Sequence, residues 1–234
     1  MEAISDYSKY RIEDIRNKTQ RMGAYPFDIL ITGVTGAGKS TTLNTLFQRN
    51  VAPVGYGVDP ETMEISHHSF NQYLRFWDTP GLGDGVEQDK LHGRKIIELL
   101  ERTCSVGNNR TQMLIDLVVV IIEGSKRDLG TVNSLLEDIV VPHIQSNRIL
   151  VAINQADAAQ KGRNWDQEHN LPEQRLKEFL LKQSLSLKRR ICETKGVSIH
   201  QPVYYSAKYE YNMDCFLDFI IDNLPTVRRM PLGG

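Results

Sequence analysis

The sequence predicts a three-layer α/β domain with a mostly parallel sheet, one antiparallel strand and helices on both faces. Two observations support this fold class. Short apolar, β-branched runs alternate along the chain with helical patterns, which is typical of parallel strands joined by crossover helices. The run over residues 115–122 is apolar at nearly every position, as expected for a central strand covered on both faces. The strand predicted at residues 64–70 follows a long loop and is expected to be the antiparallel one.

Hydrophobic spacing places the elements in order along the chain. Short apolar runs that end in polar or glycine-rich segments predict strands at residues 27–31, 64–70, 73–77, 115–122, 148–153 and 203–205. Apolar residues at intervals of three and four predict helices at residues 40–48, 88–103, 129–143, 172–192 and 211–224. Pro225 ends the last of these helices.

A glycine-rich loop, Gly33-Val-Thr-Gly-Ala-Gly-Lys-Ser40, connects the first predicted strand to the first helix of the domain. It fits the pattern G-x-x-x-x-G-K-[ST], in which successive backbone N–H groups cradle nucleotide phosphates. We expect Lys39 to reach the β- and γ-phosphate oxygens and Ser40 to ligate Mg²⁺. A glycine-rich turn that matches by accident is the alternative. The expected nucleotide contacts of this loop are Gly33, Thr35, Gly36, Ala37, Gly38, Lys39, Ser40 and Thr41.

Two further positions can respond to the γ-phosphate. Thr62 lies in a Gly- and Pro-rich stretch just before the second strand, where it could meet Mg²⁺ and the γ-phosphate; an ordinary loop threonine is the alternative. The strand at residues 73–77 ends in Asp78-Thr-Pro-Gly81. Asp78 can hold a Mg²⁺-bound water, and the Gly81 N–H can contact the γ-phosphate. The candidate catalytic residues are therefore Lys39, Thr62 and Gly81, and the candidate metal ligands are Ser40, Thr62 and Asp78.

The segment Asn154-Gln-Ala-Asp157 follows a buried strand and predicts recognition of guanine. A carboxylate at Asp157 can accept hydrogen bonds from guanine N1–H and N2–H₂, a donor pair that adenine does not offer. Asn154 would connect this segment to the glycine-rich loop. The Ala207 N–H, after the last strand, could meet guanine O6. The expected contacts with the base are Asn154, Gln155, Asp157, Ser206, Ala207 and Lys208.

This ordered set of motifs resembles the P-loop GTPases, specifically the Era-like G domain, over residues 27–224. The resemblance implies binding of GTP, GDP and Mg²⁺, slow GTP hydrolysis and two nucleotide-sensitive loops. Residues 35–47 look like the septin, immunity-related and plastid import-receptor GTPases, and the rest is similar to small ribosome-binding GTPases of bacteria. Besides a slow switch, the sequence leaves two alternatives: an assembly GTPase that dimerises through its nucleotide face, and a GTP-binding module with negligible turnover.

Three positions depart from the family pattern. Gln155 replaces the lysine of Asn-Lys-x-Asp, which shortens the cover over guanine. Leu82 stands where Ras-like enzymes carry the glutamine that orients water, which predicts slow turnover. Gly36 replaces the asparagine of potassium-activated relatives, so potassium stimulation is not expected. Basic groups that could substitute for the glutamine, or could simply be solvated charges, are Arg94, Lys126 and Arg127.

Composition limits the partners and the compartment. The 234 residues carry a formal net charge of -1, which gives no overall electrostatic attraction to nucleic acid or membrane. Three cysteines, far apart and odd in number, favour a reducing, cytoplasmic setting, and no apolar run is long enough to span a bilayer. The expected partners are guanine nucleotide, a second copy at the nucleotide face, and ribosomal or other RNA at the basic run 188–190.

The predicted organisation is one domain with appendages. Residues 1–22 form an amphipathic helical appendage that either packs on the flank of the domain or contacts a partner. Residues 23–225 form the G domain, within which residues 158–200 are a polar insertion plus a helix, and Trp165 could anchor the insertion. Residues 226–234 form a short tail.

Overall fold

The structure is a computed structural model that describes residues 6–23, 26–52, 65–105, 111–125 and 130–231. Thr62, Lys126 and Arg127 lie outside these ranges. The helices are α1 (Ile12–Met22), α2 (Lys39–Phe47), α3 (Val86–Glu101), α4 (Gly130–Ser134), α5 (Gln174–Lys195) and α6 (Met213–Asp222). The strands are β1 (Phe27–Gly33), β2 (Ser66–Ser69), β3 (Leu74–Asp78), β4 (Thr103–Ser105), β5 (Thr111–Met113), β6 (Leu117–Glu123), β7 (Ile149–Asn154), β8 (Trp165–Asp166), β9 (Leu171–Pro172) and β10 (Val203–Tyr204).

Six strands form the central sheet in the order β10-β7-β6-β1-β3-β2. Every pairing is parallel except that of β2 with β3, which confirms the predicted mixed sheet with its antiparallel strand after the long loop. All residues of β1 and β7 are buried, as is all of β6 except its last residue. Because neighbouring side chains of a strand point to opposite faces, the middle of the sheet is covered on both sides.

The strand register brings the predicted motifs to one edge of the sheet. Ile31 lies opposite Asp78 in the β1–β3 pair, and Gly33 lies opposite Ile121 in the β1–β6 pair. At the end of β6, Asn154 of β7 is the partner of Glu123. The carboxyl ends of these parallel strands therefore meet where ligands bind in open α/β sheets.

Some elements differ from the sequence prediction. The helix expected at residues 129–143 is a short α-helix, α4, that continues as a π-helix over Leu135–Val140, with the Val141 N–H bonded to Leu136 O at 2.9 Å. Two hairpins, β4–β5 and β8–β9, were not predicted, because strands of two or three residues carry no measurable periodicity. None of the helices within the described ranges is long and apolar enough to cross a membrane.

Trp165 lies at the centre of a second, smaller apolar cluster. Its ring centroid lies 5.5 Å from that of Tyr209 and 5.6 Å from that of Tyr211. The other buried members of this cluster are Ala156, Ala159, Leu176 and Leu180. The hairpin at residues 165–172 is thus packed directly behind the segment predicted to recognise guanine.

Residues 6–22 pack on the flank of the domain. Ile15 is fully buried, and Tyr7 is buried in the main core. The guanidinium of Arg11 lies 2.7 Å from Asp218 and 2.8 Å from Asp222, and both carboxylates belong to α6. These contacts favour the flank-packing alternative for the amino-terminal helix over a surface reserved for a partner.

The segment after α6 supplies Arg228, whose buried side chain lies beneath the amino-terminal edge of the sheet. The Arg228 guanidinium lies 3.2 Å from Asp116 and 3.6 Å from Asp28, and all three side chains are at most 4% exposed. Arg148 donates to Asp116 O at 3.1 Å. Burial raises the pKa of the Asp116 carboxyl to about 6, although Arg228 acts to lower it. Residues that looked like a short tail therefore hold the base of the sheet.

Replacing Arg228 by methionine is expected to lower the free energy of unfolding by about 3–5 kcal/mol, because it leaves the buried Asp116 carboxylate unpaired. Urea unfolding measures the change. Arg189→Met is the matched control: this arginine is exposed and lies 4.0 Å from Glu193, so we expect a loss below about 1 kcal/mol. Equal small losses in both variants would contradict the importance of the buried pair.

Candidate functional site

The glycine-rich loop lies between β1 and α2 and is closed by its own lysine. Lys39 is buried, and its ammonium donates to Gly33 O at 3.3 Å and to Val34 O at 3.1 Å. Gly38 has φ +84°, and a Cβ there would lie 2.3 Å from Asn154 Nδ2. Only glycine suits this position, since it tolerates a positive φ and the close approach of a neighbouring amide.

Asp78 ends β3 beside this loop and carries an unsatisfied oxygen. Its Oδ1 is buried and has no hydrogen-bond partner among the described residues. Burial raises the pKa of the Asp78 carboxyl to about 6, and the charge of Lys39 acts in the opposite direction. Ser40 is half-buried and lies in the first turn of α2, the helix that follows β1 and the glycine-rich loop. Carboxylate and hydroxyl oxygens are the ligands that Mg²⁺ prefers, so these residues fit that ion.

The described residues contain no group of three or more His, Cys, Asp or Glu side chains that could hold a metal ion. A Mg²⁺ ion at Ser40 and Asp78 would therefore need further oxygens, which nucleotide phosphates and water commonly supply. The donor set is typical of a metal that enters together with its nucleotide.

The segment after Asp78 lies against the glycine-rich loop. The Thr35 N–H donates to Leu82 O at 2.7 Å, and the Leu82 N–H donates to Gly33 O at 3.3 Å. The Leu82 side chain is buried, so it cannot orient water. Thr35 Oγ1 donates to Asp84 Oδ2 at 2.8 Å, and a Cβ on Gly81 would lie 2.6 Å from that hydroxyl oxygen. The loop and the segment thus approach at van der Waals distance.

Asn154 bridges the glycine-rich loop and the segment after β10. Its Nδ2 donates to Ala37 O at 2.9 Å, and its Oδ1 accepts from the Ala207 N–H at 3.1 Å. The Ala207 N–H, which the sequence assigned to guanine O6, is therefore engaged within the protein and would have to be shared with a base. One side-chain amide holds three loops in register.

Asp157 is oriented by a hydroxyl that the sequence placed nearby. The buried Ser206 Oγ donates to Asp157 Oδ1 at 2.6 Å, and the Asp157 side chain is half-buried. Gln155 adopts φ +59° and its Nε2 donates to Gly36 O at 2.7 Å. Lys208 is exposed, with Nζ 4.8 Å from the centroid of the Tyr209 ring. Gln155 thus contacts the glycine-rich loop, whereas Asp157 contacts the segment after β10.

Several contacts that support the glycine-rich loop and Gly81 were not predicted from the sequence. Thr42 Oγ1 donates to Gly38 O at 2.8 Å and lies 2.8 Å from the hydroxyl of fully buried Tyr205. The buried His92 Nδ1 donates to Gly81 O at 2.8 Å. Only His92 had a signal in the sequence, because it shares the buried face of α3 with Ile96 and Leu99.

The family model described as "50S ribosome-binding GTPase" matches residues 28–183, which is about two thirds of the chain. The chain belongs to this GTPase family. The match includes the glycine-rich loop, the Asp78 segment and Asn154 to Asp157, and it confirms the predicted P-loop G domain. Membership of a GTPase family supports GTP binding at the edge of the sheet where these loops meet.

Individual relatives agree with this assignment. Human septin-12 is 35% identical over 91 residues, covering 33% of this chain and 25% of septin-12. Escherichia coli K12 YkfA is 22% identical over 237 residues, covering 99% of this chain and 74% of YkfA. A dimerization-deficient mutant of Toc33 from Arabidopsis thaliana shares the fold with a TM-score of 0.65 at 15% identity, covering 93% of this chain and 91% of Toc33. The chain thus spans only a quarter of septin-12 and about three quarters of YkfA.

Proposed function

We propose that this protein is a Mg²⁺-dependent GTPase that hydrolyses GTP to GDP and phosphate slowly and acts as a molecular switch. The bridge from Asn154 to Ala37 and Ala207 carries the proposal, because it joins a phosphate-binding loop to both segments expected around guanine. Membership of the GTPase family supports the same reading.

The proposed binding roles follow from the site. The N–H groups of residues 36 and 38–41 would face the phosphates, and the positive end of α2 adds to their attraction for anions. Those of Thr35 and Ala37 instead donate to Leu82 O and Val34 O. Lys39 neutralises the β- and γ-phosphate oxygens. The carboxylate of Asp157, oriented by Ser206, accepts from guanine, and Gln155 and Lys208 cover the base.

Hydrolysis transfers the γ-phosphoryl group to water. The water oxygen forms a bond to the γ-phosphorus while the bond to the β–γ bridging oxygen breaks, and the electron pair stays on GDP. In this proposal Lys39 stabilises the charge that develops on the leaving oxygen, and the Gly81 N–H holds the γ-phosphate. Because Leu82 is buried and apolar, no side chain at that position orients the water, and slow turnover follows.

Ser40 and Asp78 are the described residues that would hold Mg²⁺, and Thr62 remains a predicted third ligand outside the described ranges. When bound, Mg²⁺ supplies positive charge beside the β- and γ-phosphate oxygens. Loss of the γ-phosphate would release Gly81 and the segment that follows it, which is how the proposed switch would change shape.

A second candidate is an assembly GTPase that dimerises through the nucleotide face. The structural similarity to Toc33, of which a dimerization-deficient mutant has been solved, motivates it. Arg94 of α3 is exposed and takes part in no ion pair within the described residues, so it could reach the site of a second copy. A ribosomal or other RNA partner is also proposed, in keeping with the description of the family.

Single-turnover and steady-state GTP hydrolysis, measured with Mg²⁺ and with EDTA over a hundredfold range of protein concentration, test these readings. A slow specific activity that needs Mg²⁺ and does not change with concentration supports the switch. A rise with concentration that Arg94→Ala abolishes supports the assembly GTPase. GTP binding without turnover at any concentration would overturn both.

Gly81→Ala is expected to lower GTP turnover at least about tenfold while GDP affinity changes less than about threefold. The added Cβ would lie 2.6–2.7 Å from three Thr35 atoms and would push the segment away from the γ-phosphate. Phosphate release and GDP calorimetry measure the two quantities. Val86→Ala, at a residue that is 72% exposed at the start of α3, is the control and should change neither. Unchanged turnover in Gly81→Ala would remove Gly81 from the site.

A further inference from the structure

A basic groove lies between α5, the 3₁₀ turn Ala159–Gly162 and the end of β6. We propose that it binds single-stranded RNA. The groove has a volume of about 1280 Å³ and is open to solvent, which exceeds the roughly 300–1,000 Å³ typical of small-molecule sites. Its described lining includes four cations: Lys161, Arg163, Arg175 and Lys182. The groove adjoins the segment Asn154–Asp157, because the Gly124 N–H at its edge donates to Asn154 O at 2.8 Å. The proposal does not depend on GTP hydrolysis.

The four cations outnumber the acids among the described residues that line the groove. All four are exposed, and none takes part in an ion pair among the described residues. Glu178 is the one acid among the described lining residues, and its Oε1 accepts from Gln174 Nε2 at 3.0 Å. A local excess of positive charge on a chain of net charge -1 indicates an anionic ligand that is drawn to this face.

The other lining groups favour RNA over an acidic peptide. Phe179 is half-buried, packs against the apolar cluster around Trp165 and lies on the same face of α5 as Arg175 and Lys182. Aromatic rings beside cations form stacking platforms for unpaired bases. Gln183 Nε2 donates to Gly124 O at 3.1 Å, and its buried Oε1 has no partner among the described residues. That oxygen is an acceptor which the amino group of a base can satisfy.

The turn beside α5 has a left-handed backbone conformation that residues other than glycine rarely adopt. Gln160 and Lys161 have φ +54° and φ +62°, and Gly162 and Asn164 also have positive φ. Consecutive left-handed residues cost about 1–2 kcal/mol each, so they persist only where the surrounding structure holds them. Their effect here is to place Lys161 and Arg163 opposite α5 across the groove.

Fluorescence anisotropy of a labelled pyrimidine-rich RNA 12-mer with the GDP-loaded 234-residue protein tests the proposal. Arg175→Gln with Lys182→Gln should lower the RNA affinity at least about tenfold. The slope of log affinity against log salt concentration should fall by about 1.4, because two single-strand phosphate contacts contribute about 0.7 each. Phe179→Leu should lower the affinity about fivefold or more without changing that slope.

Lys177→Gln with Lys90→Gln is the matched control, because it removes the same charge from two exposed lysines that do not line the groove. RNA affinity should stay within twofold, and GDP affinity should be equal in all variants if they are folded. Three outcomes would overturn the proposal: no RNA binding by the unmodified protein, equal losses in both double variants, or equally tight binding of a polyglutamate peptide of the same charge.

Discussion

Lys39→Ala is expected to abolish tight nucleotide binding, with the affinities for GTP and GDP falling at least about 100-fold. The ammonium is buried at the mouth of the loop and is held there by Gly33 O and Val34 O. Hydrogen bonds from a charged group contribute about 1.5–3 kcal/mol each, so the loss of two at the phosphates corresponds to more than 100-fold. Calorimetry with GDP and a non-hydrolysable GTP analogue in the presence of Mg²⁺ measures the change.

Two controls separate loss of binding from loss of folding. Lys90→Ala removes the same charge from the exposed face of α3, where the lysine pairs with Glu87 at 3.2 Å, and it should leave nucleotide affinity unchanged. Thermal unfolding without nucleotide should be cooperative in both variants. A Lys39→Ala protein that binds GTP with the original affinity would remove the lysine from its proposed role, and with it the phosphate-binding assignment of the loop.

The central sheet could be predicted because its signals are local. Each of β1, β6 and β7 is a short apolar run, and parallel pairing then places the polar segments that follow them at one edge. The motifs at Lys39, Asp78 and Asn154 all follow strand ends. That position alone was enough to predict that they share one site.

Contacts between residues far apart in the chain could not be predicted. Arg228 and Asp116 are 112 positions apart, and nothing in either local sequence indicates that the arginine is buried. The same holds for the hydroxyl pair of Thr42 and Tyr205 behind the glycine-rich loop. Such contacts depend on how helices cross the sheet, which periodicity does not determine.

The structure shows which contacts are made by the residues that depart from the family pattern. The sequence identifies Leu82 as the position of a missing glutamine, but its burial and its backbone pairing with the glycine-rich loop are tertiary features. Gln155 was treated as a shorter cover for the base. The structure shows that its amide bonds to Gly36 O at 2.7 Å, which links the base and phosphate segments directly.

Asp157→Asn is expected to lower the affinity for GTP at least about 100-fold and to shift the preference of the site from guanine to xanthine. An asparagine has one acceptor oxygen and one NH₂ group, so it cannot accept from both N1–H and N2–H₂ of guanine. Xanthine carries a carbonyl oxygen where guanine has its amino group, and the new NH₂ can donate to it. Competition between GTP and XTP for a fluorescent guanine nucleotide measures the ratio.

Ser206→Ala distinguishes the chemistry of the carboxylate from its placement. The serine donates to Asp157 Oδ1 at 2.6 Å, so its loss should weaken GTP binding at least about tenfold, as expected for one hydrogen bond to a charged group. The preference for guanine over xanthine should remain, because the carboxylate is unchanged. If Asp157→Asn binds GTP as tightly as the unmodified protein, then Asp157 does not read the base. A polar group that is left unpaired costs more free energy where water cannot reach it. The change in the ratio of GTP to XTP affinity caused by Asp157→Asn therefore also reports how completely the site excludes water from the base.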